Sequence, residues 1–173
     1  MDFKKYEINA GSSGEGSEAA FALLVGKLKE QGKTLAVAES CTGGLIGKLI
    51  TDVSGASAVF AGGMITYTNH IKINKLGVSA ETVERFTEVS FECAAEMAER
   101  ARIYFECDFG ISATGFAGPC GGNEKDPVGT VYLGISTASD VSIYRLSFGG
   151  CSREEIRSGT ASLAAKMLLL TLN

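Results

Sequence analysis

The stretch Thr34-Leu35-Ala36-Val37-Ala38-Glu39-Ser40-Cys41-Thr42-Gly43-Gly44-Leu45-Ile46-Gly47-Lys48-Leu49-Ile50 changes periodicity halfway along. Thr34–Ala38 is a short apolar run bounded by turn chemistry, the mark of a buried strand. After the glycine pair, Leu45, Ile46, Leu49 and Ile50 recur at helical spacing. A buried strand passing through a Gly-rich turn into a helix is the repeating unit of an α/β domain. Ligands in such domains collect at the carboxyl ends of strands. The turn itself offers Ser40, Cys41 and Thr42 as nucleophiles or donors beside the unsatisfied N–H groups of the next helix. The same pattern suits an ordinary turn with a Ser or Thr cap, and spacing alone does not separate the two. It is not a Walker loop, because Gly47-Lys48 is followed by Leu49 and Thr42 stands where the first Gly belongs.

Working outward, the spacing predicts a helix from Ser17 carrying Phe21, Leu24, Val25 and Leu28, stopped by Gly32. Residues 1–16, ending Gly-Ser-Ser-Gly-Glu-Gly, read as a flexible segment ahead of a single domain over 17–173. Val59–Thr68 reads as a strand, with Gly62-Gly63 marking a bulge or a close backbone approach. A short helix over Asn69–Leu76 is closed by Gly77. Ser90 caps a long helix to about Glu106, with Ala94, Met97, Ala98, Ala101 and Phe105 inward. Phe109–Ala113 is a further buried strand, followed by a glycine-rich loop over Thr114–Pro127. Gly129–Thr137 and Val141–Phe148 form a hairpin, and Ser152-Arg153-Glu154-Glu155 is a capping box opening a last helix. Strands alternating with helices, then a hairpin, predict a three-layer α/β/α domain with a mixed sheet.

Composition narrows the function classes. The 173 residues carry 16 basic and 20 acidic groups, a net charge of −4, with no basic stripe of the kind that binds nucleic acid. No apolar run approaches a membrane span and the first residues hold no signal-peptide core, so a cytoplasmic protein is expected. Five scattered cysteines without a C-x-x-C pair make neither a disulfide framework nor a zinc site, and one histidine excludes a His-rich centre, so no metal or cofactor is expected. His70 reads as a surface residue. Glycine is in excess at 22 residues, while prolines number only 2, which points to loops that approach a ligand closely.

Two further segments carry chemistry. Tyr67-Thr68-Asn69-His70-Ile71-Lys72 leaves a strand and enters a short helix. Lys72 would serve as a base if burial lowered its pKa, with Lys75 its competitor and a solvated helix lysine the plainer reading. Thr114-Gly115-Phe116-Ala117-Gly118-Pro119-Cys120-Gly121-Gly122 again follows a strand. Its exposed backbone donors suit a phosphate or an oxyanion, or else belong to a mobile loop tip.

These segments, with Thr51-Asp52-Val53-Ser54-Gly55-Ala56-Ser57, Leu76-Gly77-Val78, Val89-Ser90 and Pro127-Val128-Gly129-Thr130-Val131, occur in an order that resembles the CinA C-terminal domain family. The resemblance covers roughly residues 17–172. It implies nicotinamide mononucleotide deamidation, the work of a nicotinamide-nucleotide amidohydrolase in pyridine-nucleotide recycling, by a Ser/Lys hydrolase without metal. By position, Ser40 is the implied nucleophile and Lys72 its base, with Tyr67 and Thr114 assisting. Thr42, Gly43, Gly44, Gly115, Ala117, Gly118, Gly121 and Gly122 are the implied substrate-binding positions. The expected partner is a small-molecule nucleotide, with no nucleic acid and no membrane, and the expected assembly is a homo-oligomer. The length fits a form without the molybdopterin-biosynthesis-like domain that precedes some family members. A non-catalytic nucleotide- or partner-binding module is the alternative from another class, and Cys41 the alternative nucleophile. Two departures, Asp126 before Pro127 and Gly150-Cys151-Ser152-Arg153 in place of a Gly-Asp-Arg pattern, fall outside Ser40 and Lys72.

Overall fold

A computed structural model describes residues 2–11 and 17–172. Six strands form one mixed sheet in the order β1-β6-β5-β4-β2-β3. The strands are β1 (Lys4–Asn9), β2 (Leu35–Glu39), β3 (Phe60–Ile65), β4 (Phe109–Gly115), β5 (Thr130–Ser136) and β6 (Val141–Ser147). The helices are α1 (Ser17–Gln31), α2 (Leu45–Thr51), α3 (Asn69–Ile71), α4 (Ala80–Phe86), α5 (Phe91–Tyr104) and α6 (Arg153–Thr171). β2, β3 and β4 run parallel, whereas β4, β5 and β6 alternate in direction. The expected three-layer α/β/α domain with a mixed sheet is what forms.

Alternation along β4 divides the core between the two faces. Ile111 and Ala113 belong to the larger cluster, with Phe21, Leu24 and Leu28 of α1, Ile46 and Ile50 of α2 and Ala164 and Leu168 of α6. Each large apolar side chain buried this way stabilises by about 1.5–3 kcal/mol before entropy is counted. On the opposite face Ser112 Oγ donates to Ala94 O of α5 at 2.7 Å. That helix lies so close that a Cβ at Gly110 would fall 2.0 Å from Ala98 O. Only glycine fits there.

The N-terminal reading is corrected in part. Lys4–Asn9 is not a loose segment but an edge strand, parallel to β6, with Tyr6 stacked on Tyr144 at 4.9 Å between ring centroids. Its side chains are mostly exposed on both faces, so no apolar alternation announced it. Residues 1 and 12–16 of that expected segment, and residue 173, lie outside the described residues.

Other elements match with shifted ends. β3 is shorter than expected and bulged against β2, the register moving from Leu35↔Phe60 to Ala36↔Gly62. The expected close approach is there as well: a Cβ at Gly63 would fall 2.4 Å from Val37 Cγ2. The short helix after it is one α turn, α3, followed by a π turn over Lys72–Leu76, closed by Gly77 at φ 86°. Ser90 caps α5 and Ser152 forms the expected capping box with Glu155. Helix α4 escaped the sequence reading, its seven residues fully burying only Thr82, with Val83 packed partly against the core. Among the described residues, no helix is long and apolar enough to cross a membrane.

Candidate active site

The parallel strands explain why separate segments meet. β2 and β4 pair with Glu39 opposite Ala113, so both end at one edge of the sheet. There Ser40 N donates to Ala113 O at 2.9 Å, and Thr66 N donates to Glu39 O at 2.7 Å just beyond β3. The turns after β2, β3 and β4 therefore wall a single cavity of about 340 Å³, within the size range of small-molecule sites. Ser40, Lys72 and Thr114 line it, with Tyr67 and Arg153, 86 residues apart in sequence, together at its rim.

At its floor Lys72 Nζ donates to Ser40 Oγ at 3.1 Å. Lys72 is only 2% exposed and Ser40 8%. No salt bridge reaches Lys72 among the described residues. Burial therefore dominates its ionisation and lowers its pKa from the ordinary lysine value, against weaker opposing influences from Cys93, Glu88 and Cys41. Lys75, the competitor, is exposed, and His70 is exposed as expected. The π turn begins at Lys72 itself, a backbone irregularity frequent at functional sites.

Cys41 also lines the cavity, but burial pushes its thiol up to about 12. A thiol so protonated is a poor nucleophile near neutral pH. Ser40 instead has an amine in hydrogen-bond contact.

The remaining expected residues divide. Thr114 Oγ1 donates to Glu88 O at 2.7 Å, tying the end of β4 to the turn before α5. Tyr67 is 60% exposed and its hydroxyl accepts from Arg153 Nη2 at 3.4 Å. Gly115 and Ala117 line the cavity, and Gly118 O accepts from Arg153 Nη1 at 2.8 Å. Thr42, Gly43 and Gly44 do not line it. The Gly43 amide is bound to Ser40 O at 3.1 Å and the Gly44 amide to Glu39 Oε2 at 2.9 Å, so neither is offered to a ligand. Gly121 and Gly122 also lie away from the cavity. A Cβ on Gly122 (φ 81°) would fall 2.7 Å from Val128 N, which makes it a glycine of loop folding.

Three residues that sequence reasoning missed organise the site. Glu39, 1% exposed, accepts from the amides of Gly44, Ile46 and Gly47 and so fills the N-terminus of α2 with its own carboxylate. A glutamate four residues before a Gly-Gly helix start was the available signal. Arg157 Nη2 donates to Thr42 O at 2.6 Å and braces the same loop from α6. Arg153, the first residue of α6, brings a guanidinium to the rim. Asp126 is buried, accepting from Tyr132 Oη at 2.8 Å and Arg145 Nε at 3.1 Å. It anchors the glycine-rich loop away from the cavity, so that sequence departure is an architectural one.

The fold and the edge cavity define an α/β/α domain holding a buried serine–lysine pair at the ends of parallel strands. The chain belongs to the CinA C-terminal domain family, whose profile matches residues 18–172. It is 42% identical over 151 residues to a CinA-like protein of Kosmotoga olearia, covering 87% of this chain and 36% of that protein. This chain thus spans about a third of the length of the curated relatives it matches. Among solved structures, the competence/damage inducible protein CihA of Agrobacterium tumefaciens is 37% identical with a TM-score of 0.87, covering 89% of this chain and 94% of that one. A CinA superfamily protein of Escherichia coli is 30% identical with a TM-score of 0.85, covering 90% of each chain.

Proposed function

We propose that this domain hydrolyses the carboxamide of nicotinamide mononucleotide, giving nicotinate mononucleotide and ammonia. The observation that carries the reading is the 3.1 Å contact between Ser40 Oγ and the buried Lys72 amine. A serine hydroxyl needs an adjacent base to attack an amide, and a lysine whose pKa is lowered by burial can be one. Lys72 Nζ takes the Ser40 proton as Oγ adds to the carboxamide carbon. The tetrahedral oxyanion is received by backbone N–H groups. The Cys41 amide, next to the nucleophile, donates to no other described residue and fits that task. Lys72 then returns its proton to the departing nitrogen, which leaves as ammonia. Water then attacks the Ser40 ester while Lys72 takes its proton, Lys72 passes that proton to the departing Ser40 Oγ, and the acid product leaves and ionises to the carboxylate.

Arg153 supplies the cation for the 5′-phosphate at the rim, where its present partners are a carbonyl and a phenol rather than a carboxylate. Thr114 acts through Glu88 O by fixing the cavity wall, and Tyr67 holds Arg153. Ammonia release from nicotinamide mononucleotide by the purified protein tests the reading. Saturable binding of the nucleotide without ammonia release would replace it with a non-catalytic binding module.

A further inference from the structure

The mechanism leaves one charged group of the cavity without employment. Glu88 lines it beside Val89 and Thr114, half-buried, and its carboxylate makes no hydrogen bond or ion pair with any described residue. Its neighbour Lys72 bonds Ser40 instead, and burial biases that lysine toward the neutral amine. No salt bridge joins the Glu88 carboxylate to Lys72. The other cation of the cavity, Arg153, is engaged with Gly118 O and Tyr67 Oη.

The turn that carries Glu88 is held unusually firmly. Thr87 lies at φ 74°, a left-handed conformation that costs a β-branched residue energy. Hydrogen bonds from both sides maintain it: Thr114 Oγ1 to Glu88 O, Thr87 Oγ1 to Val89 O and Ser90 Oγ to Thr87 O. A partly desolvated carboxylate on a rigid turn attracts a positive charge more strongly than one in open water. Two aromatic side chains, Tyr67 and Phe116, line the same cavity, and aromatic rings attract cations to their faces.

We propose that Glu88 recognises the positive charge of a ligand's aromatic ring, so that the cavity selects zwitterionic pyridinium nucleotides over counterparts with an uncharged ring. The inference rests on the pyridine-nucleotide reading of the site and names the residue that sets its preference. The phosphate meets Arg153 at the rim and the ring charge meets Glu88 further in. The pair of contacts requires both charges on one ligand.

The test compares nicotinamide mononucleotide with its dihydro form, which keeps the phosphate, ribose and carboxamide but has a neutral ring. Affinities are measured by calorimetry on the Ser40→Ala protein, alone and with Glu88→Gln or Glu88→Asp added. With Glu88 present the oxidised form binds at least about tenfold tighter. Glu88→Gln brings the ratio towards one by weakening only the oxidised form, and Glu88→Asp keeps the preference. Equal weakening of both forms, or a ratio unchanged by Glu88→Gln, overturns the proposal. Ammonia release by the unaltered protein is assayed separately. A Glu88-dependent preference without ammonia leaves charge recognition standing and removes the deamidase reading. Ammonia with an unchanged ratio does the reverse.

Discussion

Lys72 and Ser40 touch through their side chains although 32 residues separate them, and among the described residues no salt bridge reaches the lysine. Two consequences oppose one another. Lys72→Met should abolish turnover, because it deletes the base while keeping the apolar stem. The same change should raise stability. With the folded pKa below 10.5, the unfolded chain binds the additional proton between those two values, so stability rises with pH across that window and the deficit is full below it. The melting temperature of Lys72→Met should therefore exceed that of the wild type most at low pH and converge with it towards pH 10.5. Each kcal/mol corresponds to about 2–4 °C at this chain length. Lys75→Met, on the exposed side, should alter neither quantity. Normal turnover in Lys72→Met would end the Ser/Lys proposal.

Ser40 and Cys41 are adjacent, and their surroundings separate them. Ser40→Ala should reduce ammonia release by about a thousandfold or more, the usual scale for losing an activated nucleophile. Cys41→Ala should retain a substantial fraction, since its thiol is held protonated up to about 12. The opposite ordering of the two kcat values would move the chemistry to sulfur.

Thr114 offers a hydroxyl, and the structure uses its proton on Glu88 O. Thr114→Val keeps the volume, removes that bond and should cost about 1 kcal/mol of stability. Because the turn beyond Glu88 walls the cavity, kcat/KM should fall along with the melting temperature. An unchanged kcat/KM would leave Thr114 a packing residue.

Glu39 is the largest effect expected away from the reacting atoms. Glu39→Gln sacrifices charge-assisted bonds to the start of α2 and should destabilise by about 1.5–3 kcal/mol. Turnover should fall too, since the loop between Glu39 and Gly44 carries Ser40. Denaturant unfolding and kcat measured on one preparation read both, and a variant of wild-type stability would contradict the assignment.

How much of this was legible depended on whether a residue's role is local. The caps at Ser90 and Ser152, the stop at Gly77 and the close approaches at Gly62-Gly63 are written in a few neighbouring residues, and they fall where expected. The pairing of Ser40 with Lys72 became readable through the resemblance, since spacing alone left Lys72 a solvated helix lysine. The donors at Gly43 and Gly44 misled because sequence shows that a helix start has free amides but not that Glu39 folds back onto them. Arg153 and Arg157 act through contacts 35 and 115 residues distant, and Asp126 through Arg145, 19 residues on, as well as Tyr132, so no local pattern shows their roles. β1 was invisible because an edge strand exposed on both faces has no apolar alternation to read.

The π turn that begins at Lys72 makes this corner of the chain unequal in its tolerance of length. Val78 N reaches back to Lys72 O at 3.0 Å, and Leu76, 3% exposed, lands in the cluster with Cys93, Met97 and Ala101. A wide turn is equivalent to an α turn with one residue inserted. Deleting Asn74 should let the backbone tighten into α geometry and swing Leu76 by about a third of a turn out of its apolar site. Lys72, upstream of the change, would keep its hold on Ser40. A shortened chain that melts early yet still binds nucleotide would show that the extra residue serves the core and leaves the catalytic amine untouched.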